Sequence, residues 1–117
     1  PWSGPARGTG RVEGIVRVDR NNDGDGTDPG EGAVVGAVVR VEGCGPVREM
    51  RTWYSGIFRY RDLPAGPCRF SVFARGLEFA GARLELPGDP KLVQQPMRIV
   101  MTDGRWVGIT IRMVPRD

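Results

Sequence analysis

Glycine and proline punctuate this chain so closely that it has no room for a long helix. They supply 28 of its 117 residues (18 Gly, 10 Pro), and the longest stretches free of both, 15–23 and 47–55, run only nine residues. A helix of ordinary length needs ten or more residues with few breakers. What remains are short segments of alternating character between turn residues, the pattern of an all-β sandwich or barrel.

The period of two places the segments. Val12, Gly14, Val16 and Val18 face one way, with Arg11, Glu13 and Arg17 opposite. Ala37, Val39 and Val41 alternate with Val38, Arg40 and Glu42. A strand over Val47–Trp53 ends in a turn at Tyr54, Ser55 and Gly56. Phe58 and Tyr60 then alternate with Arg59 and Arg61, and Phe70, Val72 and Ala74 with Arg69, Ser71 and Arg75. A weaker strand covers Glu78–Leu86. After a Pro-containing loop, Met97–Thr102 is expected to pair with Arg105–Val114 as a hairpin across Asp103-Gly104. In the last strand Val107, Ile109, Ile111 and Met113 point inward, and Trp106, Thr110 and Arg112 outward. One apolar and one polar face per strand predicts two sheets packed face to face, with about seven to eight strands.

The length suits one domain, and 39% hydrophobic residues can fill its core. The chain begins at Pro1 without an initiator Met and reads as a mature or excised piece. Residues 1–9 read as a linker or tag remnant and 10–117 as a single sandwich domain. No apolar run approaches 18 residues, which argues against membrane insertion. The net charge of +3 hides an asymmetry: residues 19–31 hold five acids and one base, and the rest holds 16 bases and nine acids. The arginines are scattered singly through strands, with no basic cluster interleaved with stacking aromatics, so nucleic acid is not an expected partner.

The acidic stretch is the sharpest chemical signal. Asp19, Asn21, Asp23, Asp25, Asp28 and Glu31 space oxygen donors along one loop, with Gly24 at its sixth position. Alternating oxygens wrapped about a glycine turn is how a loop encloses a hard cation, and the crowded carboxylates repel one another without one. The calcium-binding reading competes with a plain solvated turn, since Asn, Asp and Gly are also the commonest turn residues. The EF-hand pattern is incomplete: its twelfth position is Gly30, Glu31 comes one residue late, and strands rather than helices flank the loop. A site of this kind would bind calcium weakly, with dissociation constants on the order of 10⁻⁴–10⁻³ M.

A succession of motifs carries a resemblance. It runs Gly10-Arg11-Val12; Val18-Asp19 with Asp23-Gly24, Asp28 and Glu31; Val35-Gly36-Ala37-Val38-Val39; Ser55-Gly56-Ile57-Phe58-Arg59-Tyr60-Arg61-Asp62-Leu63-Pro64-Ala65-Gly66; and Phe70-Ser71-Val72. In order and spacing it resembles the B-type repeats of bacterial surface proteins: the SdrD B-like and Cna B-type modules and the related carboxypeptidase regulatory-like domains. The likeness covers about residues 10–75. It implies a transthyretin-like (prealbumin-like) sandwich acting as a stalk, spacer or adhesin support, or as an accessory domain beside an enzyme. It also implies calcium ligands at Asp19, Asn21, Asp23, Asp28 and Glu31, with Asp25 as an extra candidate. The chain departs from the pattern in three ways. Its loop is one residue longer. Cys68 stands where an aromatic is usual. The internal Lys–Asn isopeptide bond of some relatives has no partners here, because the single lysine, Lys91, lies in a loop and the only asparagines are Asn21 and Asn22.

Two cysteines remain. Their spacing fits no zinc motif and the chain has no His. Counting strand reversals from the acidic loop puts Cys44 and Cys68 together at the opposite end of the sandwich. That favours a disulfide over two free buried thiols, with a worth of about 3–4 kcal/mol from loop closure. Catalysis has little to draw on without a His base, and an enzyme is not expected. Trp2, Trp53, Tyr54 and Trp106 could form a sugar-stacking platform, with outward Trp106 as the best candidate; a covered core edge or a domain contact competes. The leading expectation is a calcium-binding structural or adhesin-type module of a secreted or cell-surface bacterial protein. Its partners would be neighbouring domains of the same protein and a host or cell-surface protein or glycan. The alternative is a carbohydrate-binding accessory domain of a glycan-active enzyme.

Overall fold

The computed structural model describes residues 8–19, 32–85, 91–93 and 97–116. Within them the chain forms ten strands: β1 (Gly10–Val18), β2 (Gly32–Ala33), β3 (Val38–Glu42), β4 (Arg48–Arg51), β5 (Ile57–Leu63), β6 (Gly66–Phe73), β7 (Leu77–Glu85), β8 (Lys91–Val93), β9 (Met97–Met101) and β10 (Trp106–Pro115). A 3₁₀ turn over Tyr54–Gly56 is the sole helical element among the described residues. Two very short strands, β2 and β8, extend the sheet edges and lift the count above the expected seven to eight.

The strands form two sheets. One runs β2-β1-β10-β7-β8, with β5 beside β2 on the same edge of β1; the other runs β4-β3-β6-β9. The alternation read from sequence holds along the main strands. Val12, Val16, Val39, Val41, Phe58, Tyr60, Phe70, Val72, Ile109 and Ile111 all point into one core between the sheets. Gly14 also points inward, and the ring of Phe58 fills the space it leaves: a Cβ there would stand 2.4 Å from Phe58 Cζ. A large ring on β5 thus packs over a bare position on β1, directly opposite it in register.

The expected hairpin between Met97–Thr102 and Arg105–Val114 does not form. The turn is present, with the Arg105 N–H donating to Thr102 O at 3.0 Å, but the strands on either side of it enter different sheets. Strand β10 spends both edges elsewhere, pairing in parallel with β1 from Arg11↔Trp106 to Val18↔Met113 and antiparallel with β7. That leaves β9 to pair with β6. Met97, Ile99 and Met101 therefore face Val107, Ile109, Ile111 and Met113 across the core, where a hairpin would have put them side by side. The strand expected over Val47–Trp53 is also shorter. Val47 is exposed, and Thr52 turns its hydroxyl inward to donate to Val34 O at 2.6 Å and accept from the Ala37 N–H at 3.0 Å. Of residues 1–9, Gly8 and Thr9 are described: Gly8 is buried against Leu63, and Thr9 is exposed, with the Gly104 N–H donating to its Oγ1 at 2.6 Å.

The sandwich is laced shut where β5 and β4 meet. The Tyr60 hydroxyl crosses from the first sheet to donate to Val39 O at 2.5 Å, and Arg48 Nη1 donates to Arg61 O at 2.7 Å. The Tyr60 ring meets Phe70 edge-on at 5.9 Å and lies 5.0 Å below the Arg48 guanidinium. Burial pushes the Tyr60 phenol up to about 12, against a smaller downward pull from Arg48. Unfolding frees the phenol to ionise near its ordinary value of 10.0, while the folded state holds its proton. The unfolded state then binds fewer protons, so this contribution to stability is whole below pH 10 and is lost as pH rises towards 12. Urea midpoints measured from pH 9 to 11.5 should fall more steeply for the wild type than for Tyr60→Phe; parallel curves would remove Tyr60 as the cause.

Candidate functional site

The fold gives the module two chemically different ends. At one, β1 runs out at Val18, which pairs with Gly32 of β2, so the chain leaves and re-enters the sheet at a single point. The acidic segment is strung between them. Its candidate ligands Asn21, Asp23, Asp25, Asp28 and Glu31 lie outside the described residues. Asp19, the first of the set, is described. Its N–H donates to Met113 O at 2.8 Å, continuing the β1–β10 ladder by one bond. Its carboxylate is fully buried and accepts from Arg112 Nη1 at 3.1 Å. Arg112 Nη2 reaches Ala80 O at 3.5 Å, so the guanidinium ties the foot of the acidic loop to β7.

Arg112 was legible only as an outward residue of the last strand. Its pairing with Asp19 requires the parallel register of β1 and β10, which alternation does not reveal. Among the described residues, no three His, Cys, Asp or Glu side chains gather as a metal site. The described part of the loop contributes Asp19 alone, as a root already bound to a guanidinium. The other candidates are all oxygen donors, the type a hard cation takes.

At the other end, Cys44 and Cys68 are joined by a disulfide, with Cα atoms 5.0 Å apart and a sequence separation of 24. Both sulfurs sit in the core. The bridge lies beside the start of β1: Gly10 pairs with Leu63, and Gly45 packs over Pro64. The strand count placed it correctly because each intervening strand reverses the chain once.

The aromatics separate into two groups. Phe58, Tyr60 and Phe70 are core. Trp106 is half exposed on the outer side of the six-stranded sheet, beside Arg11, as its alternation predicts. Trp2 lies outside the described residues. Trp53 and Tyr54 are exposed on the turn before β5, where they line a recess with Ile57 and Arg59. No helix among the described residues is long and apolar enough to cross a membrane.

No family model matches the chain. No curated protein matches it either. Among solved structures it is similar to the major pilin protein (T3.2) of Streptococcus pyogenes, at 16% sequence identity and a TM-score of 0.44. That likeness covers 93% of this chain and 46% of the pilin chain, so the chain spans about half the length of that protein. At this level the similarity assigns neither a family nor a function. The chain itself is an all-β, two-sheet sandwich closed at one end by a disulfide.

Proposed function

We propose that the chain is a non-catalytic, load-bearing module of a larger secreted or cell-surface protein, of the stalk or adhesin-supporting kind, and that its acidic loop binds calcium. The observation that carries the reading is the parallel pairing of β1 with β10 through eight residue pairs. Because the two strands run the same way, chain preceding Gly10 and chain following Pro115 depart from opposite ends of the sandwich. Tension between those ends runs along the ladder and loads its hydrogen bonds together. The disulfide suits the same setting, since such bonds persist in oxidising, extracellular compartments.

Force spectroscopy tests this. Pulled through handles at Gly10 and Pro115, the fold should resist in shear. Pulled through Gly10 and Trp106, which lie at the same end, the ladder should open pair by pair at a several-fold lower force. Equal forces in the two geometries would sink the load-bearing reading.

The proposed calcium ligands are Asn21, Asp23, Asp25, Asp28 and Glu31, with Asp19 at the root of the loop. Support comes from the five acidic residues within 13 consecutive positions of the sequence and from the pairing of Val18 with Gly32, the described residues on either side of that segment. At 10 mM calcium, a dissociation constant of 10⁻⁴–10⁻³ M stabilises the fold by about 1.4–2.7 kcal/mol, a rise in melting temperature of about 6–10 °C. EDTA should reverse the rise and Asp23→Ala should abolish it. A melting temperature indifferent to calcium, or an unchanged response in Asp23→Ala, would reject the site.

A further inference from the structure

The outer side of the six-stranded sheet is not evenly polar. Across β5, β1 and β10, one row sets Ile57 opposite Ile15 and Ile15 opposite Thr110. The next row sets Arg59 opposite Glu13 and Glu13 opposite Gly108, and the row after that sets Arg11 opposite Trp106. Successive rows share a face because alternate residues of a strand do. Gly108 brings no side chain to the central strand, so the surface sinks there into a recess of about 260 Å³, walled by Glu13, Ile15, Ile57, Arg59 and Thr110. Ile57 and Arg59 also wall a second recess of about 500 Å³, whose other sides are Trp53 and Tyr54. The two recesses make one trough, and Trp106 stands on its face one row beyond Gly108.

The aromatic lip is both exposed and held in place. Trp53 is 50% exposed and Tyr54 80%. Their turn is closed by the Trp53 N–H donating to Ile57 O and the Gly56 N–H to Trp53 O, each at 2.9 Å. It presses so tightly on β1 that a Cβ on Gly56 would lie 2.4 Å from Val16 O. Ser55 takes a positive φ of 62° to make it, a conformation a non-glycine residue adopts at a cost. Two aromatic rings are thus displayed to solvent on a rigid, strained turn.

The polar part of the trough says what it suits. Glu13 and Arg59 form an ion pair at 3.8 Å, with side chains 37% and 44% exposed. Among the residues lining the two recesses these are the charged ones and their charges offset each other, so the lining favours an ion of neither sign; Arg11 lies outside it, beside Trp106. Together they still offer guanidinium donors and carboxylate acceptors, with the Thr110 hydroxyl alongside. Flat rings beside paired donors and acceptors, without net charge, complement a neutral polyhydroxylated ligand with one apolar face. We infer that this trough binds a neutral oligosaccharide, with sugar rings stacked on Trp53 and Tyr54, hydroxyls bonded by Arg59 and Glu13, and Trp106 as a further contact. The sequence singled out Trp106 alone as the best stacking residue; the fold moves the centre of the site to the turn before β5. The inference is independent of calcium binding and of the load-bearing reading.

The test applies the full chain to an array of neutral gluco-, manno-, xylo-, galacto- and N-acetylglucosamine oligosaccharides, with sulfated heparin-type chains beside them. At least one neutral glycan should be retained. For that glycan, Trp53→Ala and Tyr54→Ala should each weaken binding by about tenfold or more. Thr110→Trp, which fills the trough and removes no aromatic, should weaken it similarly, and all three variants should melt within a few degrees of the wild type. Retention of no neutral glycan, retention of sulfated chains alone, or binding indifferent to both Trp53→Ala and Tyr54→Ala would overturn the proposal.

Discussion

Arg112→Met is expected to lower the unfolding free energy by about 2–4 kcal/mol, or roughly 8–16 °C in melting temperature for a chain of this size. Asp19 is fully buried, and its carboxylate is paired with the Arg112 guanidinium at 3.1 Å. Removing one partner of such a pair takes compensating charge from the other, which costs about 3–5 kcal/mol where both are buried. Arg112 is about a third exposed, so water entering its vacated place offsets part of that loss. The sharper test is the double variant. Asp19→Leu with Arg112→Met replaces the ion pair by apolar groups and should recover most of the stability, since the pair itself contributes little net energy once desolvation is counted. Urea denaturation of the wild type, both single variants and the double variant provides the cycle. A loss under about 1 kcal/mol for Arg112→Met, or a double variant no better than the single, would show that the buried carboxylate does not depend on Arg112.

Opening the Cys44–Cys68 bridge is expected to cost about 3–4 kcal/mol by the loop-closure model, with a separation of 24 residues. Small domains are stable by only about 5–15 kcal/mol, so this is a large fraction of the total. Cys44→Ala with Cys68→Ala should lose somewhat more than simple reduction, because both sulfurs lie in the core and truncation adds a cavity. The bridge also has a mechanical readout. With it intact, the segment between the two cysteines cannot extend under tension; after reduction, forced unfolding should release roughly 80 Å more chain. Reduced and oxidised protein with equal urea midpoints and equal contour lengths would mean that the bridge does not restrain the chain.

The two effects differ in how visible they were beforehand. The disulfide could be placed by counting, because each strand carries the chain from one end of the sandwich to the other, and parity then brings Cys44 and Cys68 to the same end. The Asp19–Arg112 contact could not. Asp19 read as a candidate metal ligand and Arg112 as one outward residue among several. They meet only because β1 lies parallel to β10, with Val18 level with Met113. The same limit explains the missing hairpin: Asp103-Gly104 makes its turn, but a local turn signal does not say which sheet each flanking strand will join.

It explains the trough as well. Glu13, Arg59, Gly108 and Trp106 are scattered over nearly the whole chain, and nothing in their spacing relates them until three strands are aligned. The acidic segment is the opposite case: its donors lie within 13 consecutive residues, so its proposed chemistry is as plain in one dimension as in three.

What the amino-acid order determined by itself was therefore everything carried by short-range geometry. The Gly and Pro spacing rules out long helices, and the two-residue period assigns Val12, Val16, Phe58, Phe70 and Ile109 to the core side of their strands. What the tertiary structure alone decided was adjacency. A strand has two edges bearing the same backbone donors and acceptors, and its side-chain pattern reports which face is buried without distinguishing one edge from the other. Pairing the first strand with the last, splitting β9 from β10 and bringing Trp53, Glu13 and Gly108 onto one face are choices among edges, settled by how the whole core packs.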